Sequence, residues 1–362
     1  MWQSYRLGPT ARKLVIAITA LVVLAACGGA EETEDAAAPA GADSSAAADE
    51  TDAAAEEDLP IVKIHAFEGG TSAAATRVIE MNGCDVENGF RGEYFEVSGD
   101  ASVQFLLQGE SDVSFDGDPV TAALLRTQGH EISTFYPLVV QDATMVVRGD
   151  SAYQQVGDLV GERVGHDGLE SGTMTAAQIM LNEFDGISIE EDFDLQLTEE
   201  AALIRLVERG DLEATFLGQP EILTAEIDFG LRPVWGPAWE VWQEERGGAA
   251  WNITVMAYES WLRDNPELAR AVTAAWDCAY EWIQEDTSRL TQDPFPELLG
   301  IDNPEVLEAF AQLVDETVYF TNSWTEEDAE AARAFIEFAA EEGTIIQEAP
   351  EGSVVRLEDL DG

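Results

Sequence analysis

Two carboxylates, Asp116 and Asp118, flank Gly117 immediately before Pro119. They follow the short apolar run Asp112-Val-Ser-Phe115, which places them where a strand ends and a helix begins. Open α/β sheets bind ligands at such junctions. A carboxylate there attracts a cation or an amine and repels an anion. Asp118, directly before Pro119, is suited to capping the helix, so Asp116 is the better placed ligand contact. Other helix starts carry Thr71 and Ser72, and Ser171 and Thr173, whose hydroxyls can serve a ligand or cap a helix. Gln219 is a mediocre cap, which leaves its amide freer to read a ligand. Trp235, Trp239 and Trp242, with Trp251 nearby, offer an aromatic face to a cation or flat heterocycle, or else pack a core or hinge.

Covalent and metal chemistry find little support. The chain holds no Gly-x-Ser-x-Gly elbow, Cys-x-x-Cys, His-Glu-x-x-His or phosphate-binding loop, so it reads as a binder and not an enzyme. Three His are present, and His65 and His166 lie 101 positions apart near strand ends. No His/Cys spacing of ligand type accompanies them, which implies neither a metal site nor a cofactor.

The elements that must position these residues come in two copies. Leu107 to Pro119 repeats as Glu208 to Pro220, superimposing Gly109 on Gly210, Phe115 on Phe216, Gly117 on Gly218 and Pro119 on Pro220. Each copy reads as helix, Gly stop, short strand, tight turn and a new helix opened by Pro. In the first copy, strands are expected over 61–66, 94–97, 112–115 and 131–136, and helices over 73–81, 101–108 and 119–127. Thr71-Ser72 should cap the first of these. In the second, helices over 174–184 and 199–209 alternate with strands over 192–197 and 213–216. A return strand follows over 250–257. Asn265-Pro266, Asn303-Pro304 and Thr325-Glu-Glu-Asp328 then start helices. Two similar α/β lobes facing a shared cleft are the expectation: residues 61–141 with 250–362 as the first, 142–249 as the second.

Composition sets the surroundings. Arg6, Arg12 and Lys13 precede an apolar run that ends in Leu24-Ala-Ala-Cys27, so residues 1–26 read as a secretory leader, too short for a comfortable membrane span. Residues 27–60 carry acids and no base, the composition of a disordered acidic tether reaching ~30 Å or more. The whole chain has 72 acids against 18 Lys and Arg, a net charge of −54, and Lys13 and Lys63 are its only lysines. Acids spread so evenly fit a surface adapted to high salt better than a patch for a cationic partner. With no basic patch to meet phosphates, nucleic-acid binding is excluded. Cys84 and Cys278 are a candidate disulfide in an exported protein.

The leader ending in Leu24-Ala-Ala-Cys27-Gly28 resembles the bacterial lipobox, which implies lipidation of Cys27. Together with Gln108 to Phe115, Val156 to Gly165, Gly210 to Pro220 and Asn265 to Ala271, it resembles the solute-binding lipoproteins of bacterial ABC transporters. More narrowly, the resemblance is to the nitrate/sulfonate/taurine and thiamine-precursor (NMT1/THI5-like) binding family. This implies the two-lobe type II periplasmic-binding-protein fold of the α/β class, with a small-molecule solute in the interlobe cleft. It further implies a monomer anchored outside the cell membrane that delivers its solute to an ABC-transporter permease. Asp116-Gly-Asp118 departs from the small neutral residues usual there, which favours a nitrogen-bearing, cationic or heterocyclic solute. A sulfonate- or nitrate-type anion, a tethered sensor or scaffold role, and more remotely a thiamine-precursor-type synthase are the alternatives.

Overall fold

The computed structural model describes residues 58–97, 101–169, 171–198, 200–343 and 345–360. The expected leader, Cys27 and nearly all of the tether lie outside the described residues.

Two mixed five-stranded sheets organise the chain. The first contains β1 (Ile61–Phe67), β2 (Arg91–Val97), β3 (Val113–Gly117), β4 (Ile132–Val140) and β10 (Trp251–Tyr258), in the order β2-β1-β3-β10-β4. The second contains β5 (Thr144–Arg148), β6 (Arg163–His166), β7 (Asp194–Leu197), β8 (Ala214–Leu217) and β9 (Leu231–Trp235), in the order β7-β6-β8-β5-β9. β1 pairs parallel with β2 and β3, β6 pairs parallel with β7 and β8, and in each sheet the fourth strand runs antiparallel to its neighbours. That strand arrives by a crossing between the sheets. The two-lobe architecture of the α/β class is therefore present, with the same strand plan in both lobes.

Helices α1 (Gly70–Asn82), α2 (Ala101–Leu107) and α3 (Pro119–Thr127) connect strands of the first sheet. In the second, α4 (Gly172–Met180), α5 (Glu200–Arg209) and α6 (Glu221–Phe229) play the same part, followed by α7 (Ala238–Glu245). α8 (Pro266–Glu285), α9 (Pro304–Glu316) and α10 (Glu326–Glu342) close the chain. α8 buries Ala269, Val272, Ala275, Trp276, Ala279 and Ile283, the three-and-four spacing of one helix face. Thr325 and Asp328 form the expected reciprocal cap of α10.

Several local expectations change. α1 begins at Gly70, earlier than expected, because Gly69 (φ 81°) and Gly70 (φ 69°) adopt left-handed backbone that turns the chain straight into the helix. Thr71 and Ser72 thus lie inside its first turn, and the Ser72 hydroxyl accepts from Phe67 N at 2.9 Å instead of capping. Pro119 opens α3 as expected, whereas Pro220 sits one position outside α6 after a cis peptide bond. α10 buries Phe335, Ile336 and Phe338 in the apolar cluster that holds Met174 and Phe216 of the second lobe, and Val120 of α3.

Among the described residues most arginines form ion pairs, but these engage only a minority of the acids. Arg126 and Glu259 form a shielded pair at 2.9 Å, with side chains 12% and 15% exposed. Most other pairs, such as Arg148–Asp150 and Arg209–Asp211, are open to solvent and worth about 0–1 kcal/mol each. The excess acids therefore repel one another over a distance set by salt. The Debye length falls from about 30 Å at 0.01 M to about 3 Å at 1 M. The melting temperature should rise with NaCl across that range; a flat or falling curve would contradict a surface built for high salt.

Candidate functional site

Between the two sheets lies a cavity of about 330 Å³. That is the small end of the range for ligand sites. The first lobe contributes Phe67 to Ser72, from the end of β1 into the first turn of α1, and Asp116 near the end of β3. The second contributes Thr173 at the start of α4, with Gly218, Gln219 and Glu221 after β8. Asn252 and Ile253 of the returning strand β10 form one side, and Glu297 to Gly300 another. Both copies of the repeated strand-to-helix junction thus meet at one space.

The wall is acidic. Glu68, Asp116, Glu221 and Glu297 line it, and no Lys or Arg is among its lining residues. Asp116 accepts a hydrogen bond from the Ser102 hydroxyl at 2.6 Å. Burial pushes its carboxyl up to about 7; the Ser102 bond opposes this and the neighbouring Asp118 charge adds to it. The Gln219 amide oxygen is shielded from solvent and has no hydrogen-bond partner among the described residues.

The remaining sequence candidates lie elsewhere. Asp118 caps α3, accepting from Val120 N at 2.8 Å and Thr121 N at 3.0 Å, and from the Thr121 hydroxyl. Its carboxyl is raised by burial, against those bonds. Ser171 caps α4 through Met174 N at 3.2 Å and does not line the cavity. Of the two readings of the Trp group, core packing is the one observed, and no Trp lines the cavity. Trp235 and Trp242 fill the second lobe's core, against Phe216 and Phe335 respectively, and Trp239 packs on the first lobe's core. Large apolar rings gain more from complete burial than from lining a wet cleft.

Behind the wall sits a group that sequence reasoning missed. Asp142, 3% exposed, lies on the first crossing between β4 and β5. Its carboxylate accepts from Gln219 N at 2.8 Å and from Asn252 Nδ2 at 3.1 Å, and the Tyr319 hydroxyl also bonds to it. Tyr319 reaches Thr71 as well, and Gln219 O at 3.4 Å. This polar knot joins both crossings to three cavity-lining residues. Its one sequence signal is Gln141-Asp142, a polar break between the apolar runs of β4 and β5. Tyr319 carries no such signal, because it is brought in by a C-terminal segment that pairs with β4 through Val140 N and Tyr319 O.

His65 and His166 are not counterparts in space. His65 pairs in register with Ser114, whereas Gly165 occupies the corresponding place opposite Thr215. Among the described residues, no group of three or more His, Cys, Asp and Glu is placed to hold a metal ion.

No family model and no curated protein matches the sequence. Solved structures do share its fold. The periplasmic aliphatic sulphonate binding protein SsuA from Escherichia coli superimposes with a TM-score of 0.62 at 14% identity, covering 83% of this chain and 96% of that one. The ligand binding component of an ABC-type import system from Staphylococcus aureus, with zinc bound, gives 0.61 at 10% identity, covering 83% and 97%. The desulfurization enzyme DSZB gives 0.56 at 14%, covering 83% and 98%. The chain therefore has the two-lobe type II periplasmic-binding-protein fold, a scaffold that serves binders and at least one enzyme.

Proposed function

We propose that this protein is an extracytoplasmic solute-binding protein that captures a small nitrogen-bearing solute, cationic or heterocyclic, in the cleft between its lobes. In this reading, lipid on Cys27 and the acidic tether hold it at the membrane, where it delivers the solute to the permease of an ABC importer. The observation that carries the reading is a cavity at both repeated junctions, lined by four carboxylates and by no cationic side chain. An anion would enter against those charges without a positive partner. The sulphonate bound by a structural relative supplies the competing reading, with Thr71, Ser72 and Thr173 as its hydrogen-bond donors.

A melting-shift panel separates the two. At 100 times its Kd a bound solute stabilises by about 2.7 kcal/mol, a shift of several degrees. Alkylamines, amino-heterocycles or pyrimidines should shift the native protein, and Asp116→Asn should weaken their binding by about 1–3 kcal/mol. Shifts by taurine, alkanesulfonates or nitrate, with none from the nitrogen compounds, would overturn the assignment.

A further inference from the structure

Asp116 is the last member of a buried chain of hydrogen bonds that crosses the first lobe. The Ser102 hydroxyl donates to Asp116 Oδ2 at 2.6 Å and lies 3.2 Å from His65 Nε2; His65 Nδ1 lies 2.7 Å from the Ser111 hydroxyl. His65, Ser102 and Ser111 are all at least 95% buried. Hydrogen counting gives the chain a direction. Because the Ser102 proton is committed to Asp116, His65 must donate from Nε2, and its bare Nδ1 must accept from Ser111.

The second lobe shows that the fold does not require this chain. The counterparts of Ser102, Ser111 and Asp116 are Leu203, Leu212 and Leu217, all buried and apolar, and the counterpart of His65 is Gly165. A side chain at Gly165 would strike Leu212 and Leu203 at 2.6 and 2.7 Å, so the leucines occupy the imidazole's place. The same strand plan is thus packed with hydrocarbon in one lobe and with a relay in the other, and only the relay ends at a carboxylate on the cavity wall.

We propose that Ser111, His65 and Ser102 are positioning residues for Asp116, forming a relay that reverses when Asp116 takes up a proton, so that the His65 tautomer registers the charge state of the cleft. The Ser102 proton passes to Asp116, the His65 Nε2 proton to Ser102 and the Ser111 proton to His65 Nδ1, while solvent at the Ser111 end (4% exposed) returns one proton to Ser111. Asp116 then donates to Ser102, Ser102 to His65 Nε2, and His65 Nδ1 to Ser111. One proton enters, three hydrogens shift within the chain, and no side chain but Asp116 changes charge. His65 stays neutral throughout, since burial lowers its pKa to about 4. The charged groups near Asp116 are Asp118 on the same junction, Glu68 after β1, Glu221 on α6 and Glu297; α1, α2 and β10 present none to this wall. All are acidic, and all favour the proton.

For a cationic solute, which rests on the reading of the cleft given above, affinity would fall about tenfold per pH unit below the Asp116 midpoint. The relay itself is tested without any solute. In the full chain labelled with ¹⁵N-histidine, assigned by His65→Gln, the His65 nitrogens should report Nε2–H at pH 9 and Nδ1–H at pH 5. Ser102→Ala should abolish that switch and raise the Asp116 midpoint by about one to two pH units, and Ser102→Thr should restore both. One His65 tautomer from pH 5 to 9 in the native protein, or a switch that survives Ser102→Ala, would overturn the relay. Failure of the solute panel alongside a working switch would instead overturn the cleft's cationic specificity and leave the relay standing.

Discussion

Removing the Cys84–Cys278 disulfide is expected to destabilise the protein by about 5 kcal/mol. The two cysteines are bonded, with Cα atoms 5.9 Å apart and a sequence separation of 194. Cys84 opens the short helix Cys84–Glu87 and is fully buried, while Cys278 lies in α8, so the bond ties the start of the first lobe to the segment that returns after the second. In the chain-entropy description, the unfolded chain freed of so long a loop gains most of that figure. Urea unfolding of the native protein against a Cys84→Ala/Cys278→Ala pair measures it. A difference under about 1 kcal/mol would show that the bond contributes little beyond packing.

Replacing Asp142 should cost about 3 kcal/mol, the largest loss from a single polar side chain. Asp142→Ala leaves Gln219 N, Asn252 Nδ2 and the Tyr319 hydroxyl without their buried acceptor, at about 1–3 kcal/mol per orphaned group before relaxation. A second consequence is its pH dependence. Burial raises the Asp142 carboxyl from 3.8 to about 6, although its hydrogen bonds pull the other way. The folded carboxyl therefore holds a proton more tightly than the unfolded one. Its contribution to stability is complete below about pH 4 and is lost as the pH rises through about 6, a change on the order of 3 kcal/mol. Asp116 acts in the same sense through about 7. Asp142→Asn, which cannot ionise, should accordingly show a smaller deficit at pH 7.5 than at pH 4.5 in urea unfolding. Equal deficits at the two values would mean that the native carboxyl titrates normally.

Much of this architecture is legible in the residues. Gly109 and Gly210, the four-residue runs before Gly117 and Gly218, and the two prolines mark β3 and β8 within two residues, because punctuation by Gly and Pro is local chemistry. Asp118 before Pro119 reads as a cap for the same reason. The cavity wall is legible only in part. Asp116, Thr71, Ser72, Thr173 and Gln219 are at strand and helix ends that a repeat can locate, and all five line it. Glu68, Glu221 and Glu297 are invisible among 72 acids, since composition cannot distinguish a cleft carboxylate from a solvated one. The Trp spacing in 235–242 fits an aromatic wall and a core equally well, and tertiary packing decides for the core. His65 and His166 match in sequence offset, yet the strand register differs from it by one residue, which sends side chains to opposite faces. Asp142 and Tyr319 meet only because two crossings and a C-terminal segment converge, a contact of 177 residues' separation that no local pattern encodes.

The central claim is that the acidic interlobe cavity holds a small nitrogen-bearing solute through Asp116. Native mass spectrometry of the protein as purified, beside Asp116→Asn prepared identically, tests it most directly. The account predicts an added mass on the native protein that fragments to an amine or nitrogen heterocycle and is depleted in the variant. A sulfonate or other anion in that position, or a nitrogen-bearing mass retained equally by Asp116→Asn, would contradict it.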